Sequence, residues 1–190
     1  MVTMRKLEVH ELNRLDLEEF KRAKKCPIAI VLDNVRSQNN IGSVFRTADA
    51  FRIEKVVLTG ICSTPPNKEI HKTALGAEDS VAWEYFENCT DAVESLKKTG
   101  YIVISIEQVE GSISLEKFVI EPEARYALVL GNEVKGVDQA VVQASNYAIE
   151  IPQEGTKHSL NVSITAGIVM WEFFRRLALQ LTTCENLSQL

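Results

Sequence analysis

Residues 27–51 read PIAIVLDNVRSQNNIGSVFRTADAF. The segment Ile28 to Leu32 is a short apolar run without a charge, the texture of a strand covered on both faces. The period then changes. Ile41, Val44, Phe45 and Ala48 fall at i, i+3, i+4 and i+7, the spacing of one buried helical face, so a helix is expected over Ile41 to Phe51. Gly42, Arg46 and Asp49 are expected to point the other way. Strand followed by helix is the unit from which parallel sheets are built.

The unit recurs along the chain. Strand-like runs stand at Lys55 to Leu58, Val81 to Tyr85, Tyr101 to Ile106, Tyr126 to Leu130 and Ala148 to Ile151, with helical stretches between most of them. Thr90 is expected to cap a helix over Asp91 to Lys98 that Gly100 stops, and Ser63 to Asn67 reads as a loop. The fold class is therefore α/β, a mainly parallel sheet with helices on both faces, right-handed crossovers and ligands at the carboxyl ends of the strands. Ahead of it, Val9 to Lys25 reads as one amphipathic helix ending in Lys21-Arg22-Ala23-Lys24-Lys25. At the other end, Val162 to Ala178 carries Ile164, Ile168, Val169, Met170, Trp171, Phe173 and Phe174 nearly all round its axis. A second subunit or a central place in the core would each account for that.

A length of 190 residues fits one domain, and 45% apolar with 25% charged residues excludes wholesale disorder or a fibrous repeat. The net charge of -5 argues against gripping a polyanion over the whole surface. Residues 1 to 25 nevertheless carry +2 against -7 for the remainder, which leaves room for a local basic patch. Cys26, Cys62, Cys89 and Cys184 lie far apart without a CxxC pair, and no apolar run is long enough to cross a bilayer. The expectation is a reduced, cytoplasmic protein.

Several familiar sites fail on inspection. Gly131 to Asp138 has the glycine spacing of a phosphate loop, but Val137-Asp138 stands where Lys-Ser/Thr is required. No GxGxxG follows a strand, His10, His71 and His158 form no zinc pattern, and Ser159 lacks the GxSxG elbow of a hydrolase nucleophile although His158 adjoins it.

Three polar clusters remain, each beside a predicted strand. The first is Asn34 to Phe51, the second Leu128 to Val137, and the third Ile149-Glu150-Ile151-Pro152 with Ser159-Leu160-Asn161-Val162-Ser163 opening the final helix. In this order they resemble the three motifs of the SpoU/TrmH family of RNA ribose 2'-O-methyltransferases within the SPOUT class, over about Pro27 to Leu177. This sequence departs from the family in three places. Ser37-Gln38-Asn39-Asn40 replaces Asp-Pro-x-Asn, Arg52 stands where glycine is usual, and Val134 stands where glycine is frequent.

The resemblance implies a trefoil knot formed by the C-terminal third, a bent S-adenosylmethionine (AdoMet) lying in it, no metal, and a homodimer. On that reading residues 1–26 are an N-terminal helical extension, 27–180 the methyltransferase domain and 181–190 a C-terminal tail. Arg46, Asn40, Ser159 and Asn161 match the catalytic positions; Gly131, Ile151 and Leu160, with Leu130 and Glu133, match those around AdoMet. A bulky residue at Gly131 is expected to fill the crevice while leaving the fold intact. Arg46 and Arg36, with Lys21, Arg22, Lys24 and Lys25, are the groups expected to meet RNA phosphates. The implied reaction is methyl transfer from AdoMet to a ribose 2'-hydroxyl, with tRNA preferred as substrate. An rRNA substrate, or a non-catalytic knotted RNA-binding module, is the alternative.

Overall fold

The computed structural model describes residues 4–187. Seven strands form one parallel sheet: β1 (Cys26–Asp33), β2 (Ile53–Thr59), β3 (Ala82–Phe86), β4 (Tyr101–Ile106), β5 (Ile113–Ser114), β6 (Arg125–Leu130) and β7 (Tyr147–Glu150), in the order β3-β2-β1-β6-β4-β7-β5. The order follows from burial. β1 and β6 are apolar on both faces and take the centre, whereas β3 is mostly exposed and takes an edge.

Alternation along the central strands divides the core into two layers. Ile28, Ile30 and Leu32 of β1 pack with Leu128 and Leu130 of β6 on one face. That face is covered by α2 (Gln38–Ala50), α3 (Lys68–Ala74), α4 (Ala77–Ser80) and α7 (Val162–Leu187). Ala29, Val31, Ala127 and Val129 point to the other face, under α5 (Cys89–Lys98) and α6 (Gln139–Ala144). The α/β class with helices on both faces is thus observed. β5, α3, α4 and α6 are additions to the sequence reading; each is seven residues or shorter and too brief to show a period.

Several local expectations are corrected. Val9 to Lys25 is two pieces, a 3-10 turn Val9–Leu12 and α1 (Leu17–Arg22), because Asn13 adopts a left-handed conformation and Asp16 caps a new start. α2 begins three residues earlier than expected, capped by the Ser37 hydroxyl on the Asn40 N–H. Gly42 does not face outward. It is buried where α2 meets α3, and a Cβ there would sit 2.2 Å from the Ile70 carbonyl oxygen. The helix over Cys89–Lys98 starts after Asn88, so Thr90 is inside it and caps nothing. The last helix continues to Leu187. Of its apolar residues Val169, Met170 and Phe173 are buried, while Ile164, Ile168 and Trp171 remain exposed.

Candidate active site

Two loops at the carboxyl end of the sheet, 131–138 after β6 and 151–161 after β7, enclose a cavity of about 490 Å³. Its wall includes Leu130, Gly131, Glu133, Ile151, Ser159, Leu160 and Asn161. Seven of the predicted site residues therefore share one cavity, at the place where parallel sheets bind ligands.

The first of these loops is pinned on three sides. Asn132 bridges back to Gly136 through both backbone groups, and its amide donates to the Asn34 carbonyl at 2.7 Å. The Asp33 carboxylate, buried at the end of β1, accepts the Asp138 N–H at 2.9 Å. Directly after β4, Glu107 accepts the Val137 N–H at 2.9 Å. Gly131 closes the turn by contact: a Cβ there would lie 2.0 Å from the Gly136 carbonyl carbon and 2.1 Å from the Val137 nitrogen. This corrects the expectation for Gly131. A larger residue collides with its own loop before it can reach the cavity.

Glu133 ties this loop to the start of α2. Its carboxylate accepts the Arg36 and Ser37 N–H groups and the Asn40 side-chain amide, each at 3.1 Å. Burial pushes its pKa up, but those donors outweigh burial and hold it below the ordinary carboxylate value. Asn40 reaches the other way as well, its carbonyl oxygen accepting from Asn161 at 3.3 Å. Asn161 in turn caps α7, accepting the Ser163 N–H at 2.9 Å and the Ser163 hydroxyl at 2.7 Å. All three motifs thus meet in one chain of hydrogen bonds, Glu133 to Asn40 to Asn161, at the rim of the cavity.

The remaining predicted residues lie apart from that chain. Ser159 lines the cavity and is exposed, with no side-chain hydrogen bond among the described residues. Arg46 stands off the wall on the exposed side of α2, opposite Ile41, Val44, Phe45 and Ala48, and makes no hydrogen bond or ion pair among the described residues. Arg36 is exposed beside Glu133. In the N-terminal segment, Lys21 pairs with Glu18 at 3.6 Å and Lys24 is exposed. Arg22 is held by the Glu18 carbonyl at 3.2 Å. Lys25 turns inward, its ammonium 3.4 Å from the Phe20 ring centroid, with burial lowering its pKa.

Sequence reasoning missed Asp33 and Glu107. The available signal was a carboxylate directly after an apolar strand, at the end where the ligand sits. Among the described residues no three His, Cys, Asp or Glu side chains are grouped to hold a metal, and no helix is long and apolar enough to cross a membrane. Burial pushes the thiols of Cys26 and Cys89 up to about 12 and that of Cys62 up to about 11, so none of the three is a nucleophile at neutral pH. The side chain of Cys184 lies outside the described residues.

A profile described as the SpoU rRNA methylase family matches residues 27–171. The chain belongs to that family. It is 33% identical over 163 residues to an uncharacterized tRNA/rRNA methyltransferase of Borreliella burgdorferi, covering 86% of this chain and 70% of the relative. Among solved structures it is similar to an AdoMet-bound rRNA methyltransferase from Sinorhizobium meliloti, with TM-score 0.74 and 26% identity over 81% of this chain. The TrmH/SpoU tRNA modifying enzyme of A. aeolicus shares the fold, with TM-score 0.74 and 24% identity over 84% of this chain. This SpoU-family chain spans 58% of the Sinorhizobium protein and 79% of the A. aeolicus one.

The structure accounts for the three departures from the family pattern. Ser37 takes the capping role that Asp would fill, and Gln38 occupies the first helical position, where proline is favoured but not required. Gln38 instead donates to the Ser63 hydroxyl at 2.9 Å. Arg52 has φ of 47°, a left-handed turn past the end of α2, which is why glycine is usual there. Val134 is 80% exposed at the tip of its loop, so its side chain meets no obstacle.

Proposed function

We propose that this chain transfers the methyl group of AdoMet to a ribose 2'-hydroxyl of RNA, preferring tRNA, and that it works as a homodimer with a knotted C-terminal third. The observation that carries the reading is the Glu133–Asn40–Asn161 chain at the mouth of the cavity, which joins the family's three motifs in one structure.

The cavity suits AdoMet in size and in chemistry. Leu130, Ile151 and Leu160 offer an apolar wall, and the close-packed turn at Gly131 presents backbone groups. AdoMet supplies an electrophilic methyl group on sulfur and departs as a neutral thioether, so no metal or covalent intermediate is needed. The protein must then align the hydroxyl with the methyl and ease removal of its proton. Asn161 and Ser159 stand at the cavity to hold the ribose and its phosphate, while Asn40 fixes Asn161 and is fixed in turn by Glu133. A guanidinium does not normally deprotonate in a protein. Arg46 therefore serves as a two-pronged phosphate clamp that lowers the hydroxyl pKa, the proton passing onward to solvent.

Titration calorimetry with AdoMet, together with radiolabelled methyl transfer to tRNA and rRNA, tests the reading. Leu160→Trp is the matching variant, since Leu160 is 38% exposed and can enlarge without disturbing the core. It is expected to abolish AdoMet binding with the melting temperature little changed. Wild-type affinity in that variant would place the cofactor elsewhere.

The dimer reading has a structural reason. Ile164, Ile168 and Trp171 form an exposed apolar stripe on α7, beginning one turn from Asn161, and the Trp171 ring packs at a tilt against Phe51 and Phe174. A second copy seated there adds its groups to the rim of the cavity. Sedimentation at micromolar concentration is expected to give twice the chain mass, and Trp171→Asp to give monomers. An active monomer would sink the interface.

A further inference from the structure

Glu107 stands directly after β4 and lines the cavity, and the sheet order places β4 between β6 and β7. Those two strands lead into the loops that enclose the space, so Glu107 enters the cavity from between them. The loop after β6 is shaped around its carboxylate. Oε2 accepts the Val137 N–H at 2.9 Å, and Gly136 approaches so closely that a Cβ there would lie 2.2 Å from the same oxygen. Oε1 accepts the Gln108 N–H at 3.0 Å. The carboxylate is thereby held in one orientation, half-buried, with no cation paired to it among the described residues.

An ionised carboxylate has about four acceptor sites, two on each oxygen. One site on each oxygen of Glu107 is filled, and one on each is free. The other acids on the cavity wall differ from it. Glu133 already meets three donors, and Glu150 has no side-chain hydrogen bond to fix it among the described residues. Glu107 is therefore the one preorganised pair of anionic acceptors on this wall with capacity left for a ligand.

Such a pair, at the carboxyl end of a parallel strand, selects donors on neighbouring atoms, and a carboxylate so placed is how dinucleotide-binding sheets take a ribose hydroxyl. AdoMet carries donors on its adenine amino group, its ribose and its α-ammonium. Methyl transfer turns the sulfonium toward Ser159 and Asn161, and the ammonium, a short chain from the sulfur, goes with it. The flat adenine suits the apolar wall of Leu130, Ile151 and Leu160. The ribose joins these two ends and offers hydroxyls on adjacent carbons, one for each free site. We propose that Glu107 recognises the ribose diol of AdoMet, each oxygen accepting from one hydroxyl. The proposal rests on the reading of the cavity as the AdoMet site.

Titration calorimetry with S-adenosylhomocysteine, the thioether left after transfer, and with its 2'-deoxy and 3'-deoxy forms tests it. In the wild type, loss of either hydroxyl is expected to weaken binding about ten- to one-hundred-fold, the range for one hydrogen bond to a charged group. Glu107→Ala is expected to bind all three ligands weakly and equally. Glu107→Gln keeps an oxygen for the Val137 N–H, so it should melt with the wild type while its discrimination falls. The ratio between ribose and deoxyribose ligands separates recognition from bracing of the loop, since a lost brace weakens all three alike. A wild type indifferent to either hydroxyl, or variants that discriminate as the wild type does, would overturn the proposal and leave Glu107 a brace. A wild type that binds neither S-adenosylhomocysteine nor AdoMet would overturn the cofactor reading itself, and the proposal with it.

Discussion

Arg46→Ala is expected to lower methyl transfer by about two to four orders of magnitude, the range for loss of a group that assists proton removal. The fold should hardly notice. Arg46 lies on the exposed side of α2, away from the face that Ile41, Val44, Phe45 and Ala48 bury. Exposed helix substitutions usually change stability by no more than about 0.5 kcal/mol. Arg46→Lys is the sharper test, because it keeps the charge and loses the planar fork that grips two phosphate oxygens at once. A phosphate clamp predicts that lysine recovers little turnover and weakens RNA binding. Near-normal turnover with unchanged RNA affinity would instead show that a single cation suffices, and the bidentate account would fall. On the proposed reading AdoMet occupies the cavity while Arg46 stands off its wall, so calorimetry should find wild-type AdoMet affinity in both variants.

Gly131→Ala is expected to damage stability and AdoMet binding together. The new Cβ would come 2.0 Å from the Gly136 carbonyl carbon, and both partners are backbone, so no rotamer change relieves the clash. Overpacking of this kind costs typically about 1–3 kcal/mol, and a backbone collision belongs at the upper end. The displaced segment carries Glu133 and Val137, which are bonded to α2 and to Glu107, so AdoMet binding should fail together with stability. Thermal unfolding and AdoMet calorimetry on the same sample check this. A variant with unchanged melting temperature and lost binding would mean that the methyl group reaches the cavity after all, and the close contact at Gly131 would be the wrong explanation.

The two variants differ in the range over which their causes were visible. The position of Arg46 on α2 follows from spacing alone, since a buried face at i, i+3, i+4 and i+7 leaves the sixth residue of the run outside. For Gly131 the sequence showed only a glycine after a strand. The Gly136–Val137 peptide bond that forbids a side chain there is brought against it by a turn whose shape depends on Asn34, Asp33 and Glu107. The same contrast explains Gly42, read as outward from its own helix and buried by another one that was too short to foresee.

By itself, the sequence determined the α/β class, the order of the long strands and helices, and the three polar clusters with Asn40, Glu133 and Asn161 in them. These are properties of local period and of side-chain type, which the chain carries wherever it goes. Tertiary structure decided where the first helix breaks, which of α7's apolar residues are covered, and how the clusters connect. The hydrogen bond from Asn40 to Glu133 spans 93 residues, and that from Asn161 to Asn40 spans 121. Partners so far apart are chosen by the order β3-β2-β1-β6-β4-β7-β5, which sets β6 beside β1 and brings their carboxyl ends together. The fixed carboxylate of Glu107 belongs to the same class of fact, because its contact with Gly136 and Val137 is a relation between the end of β4 and the loop after β6 and has no signature in either alone.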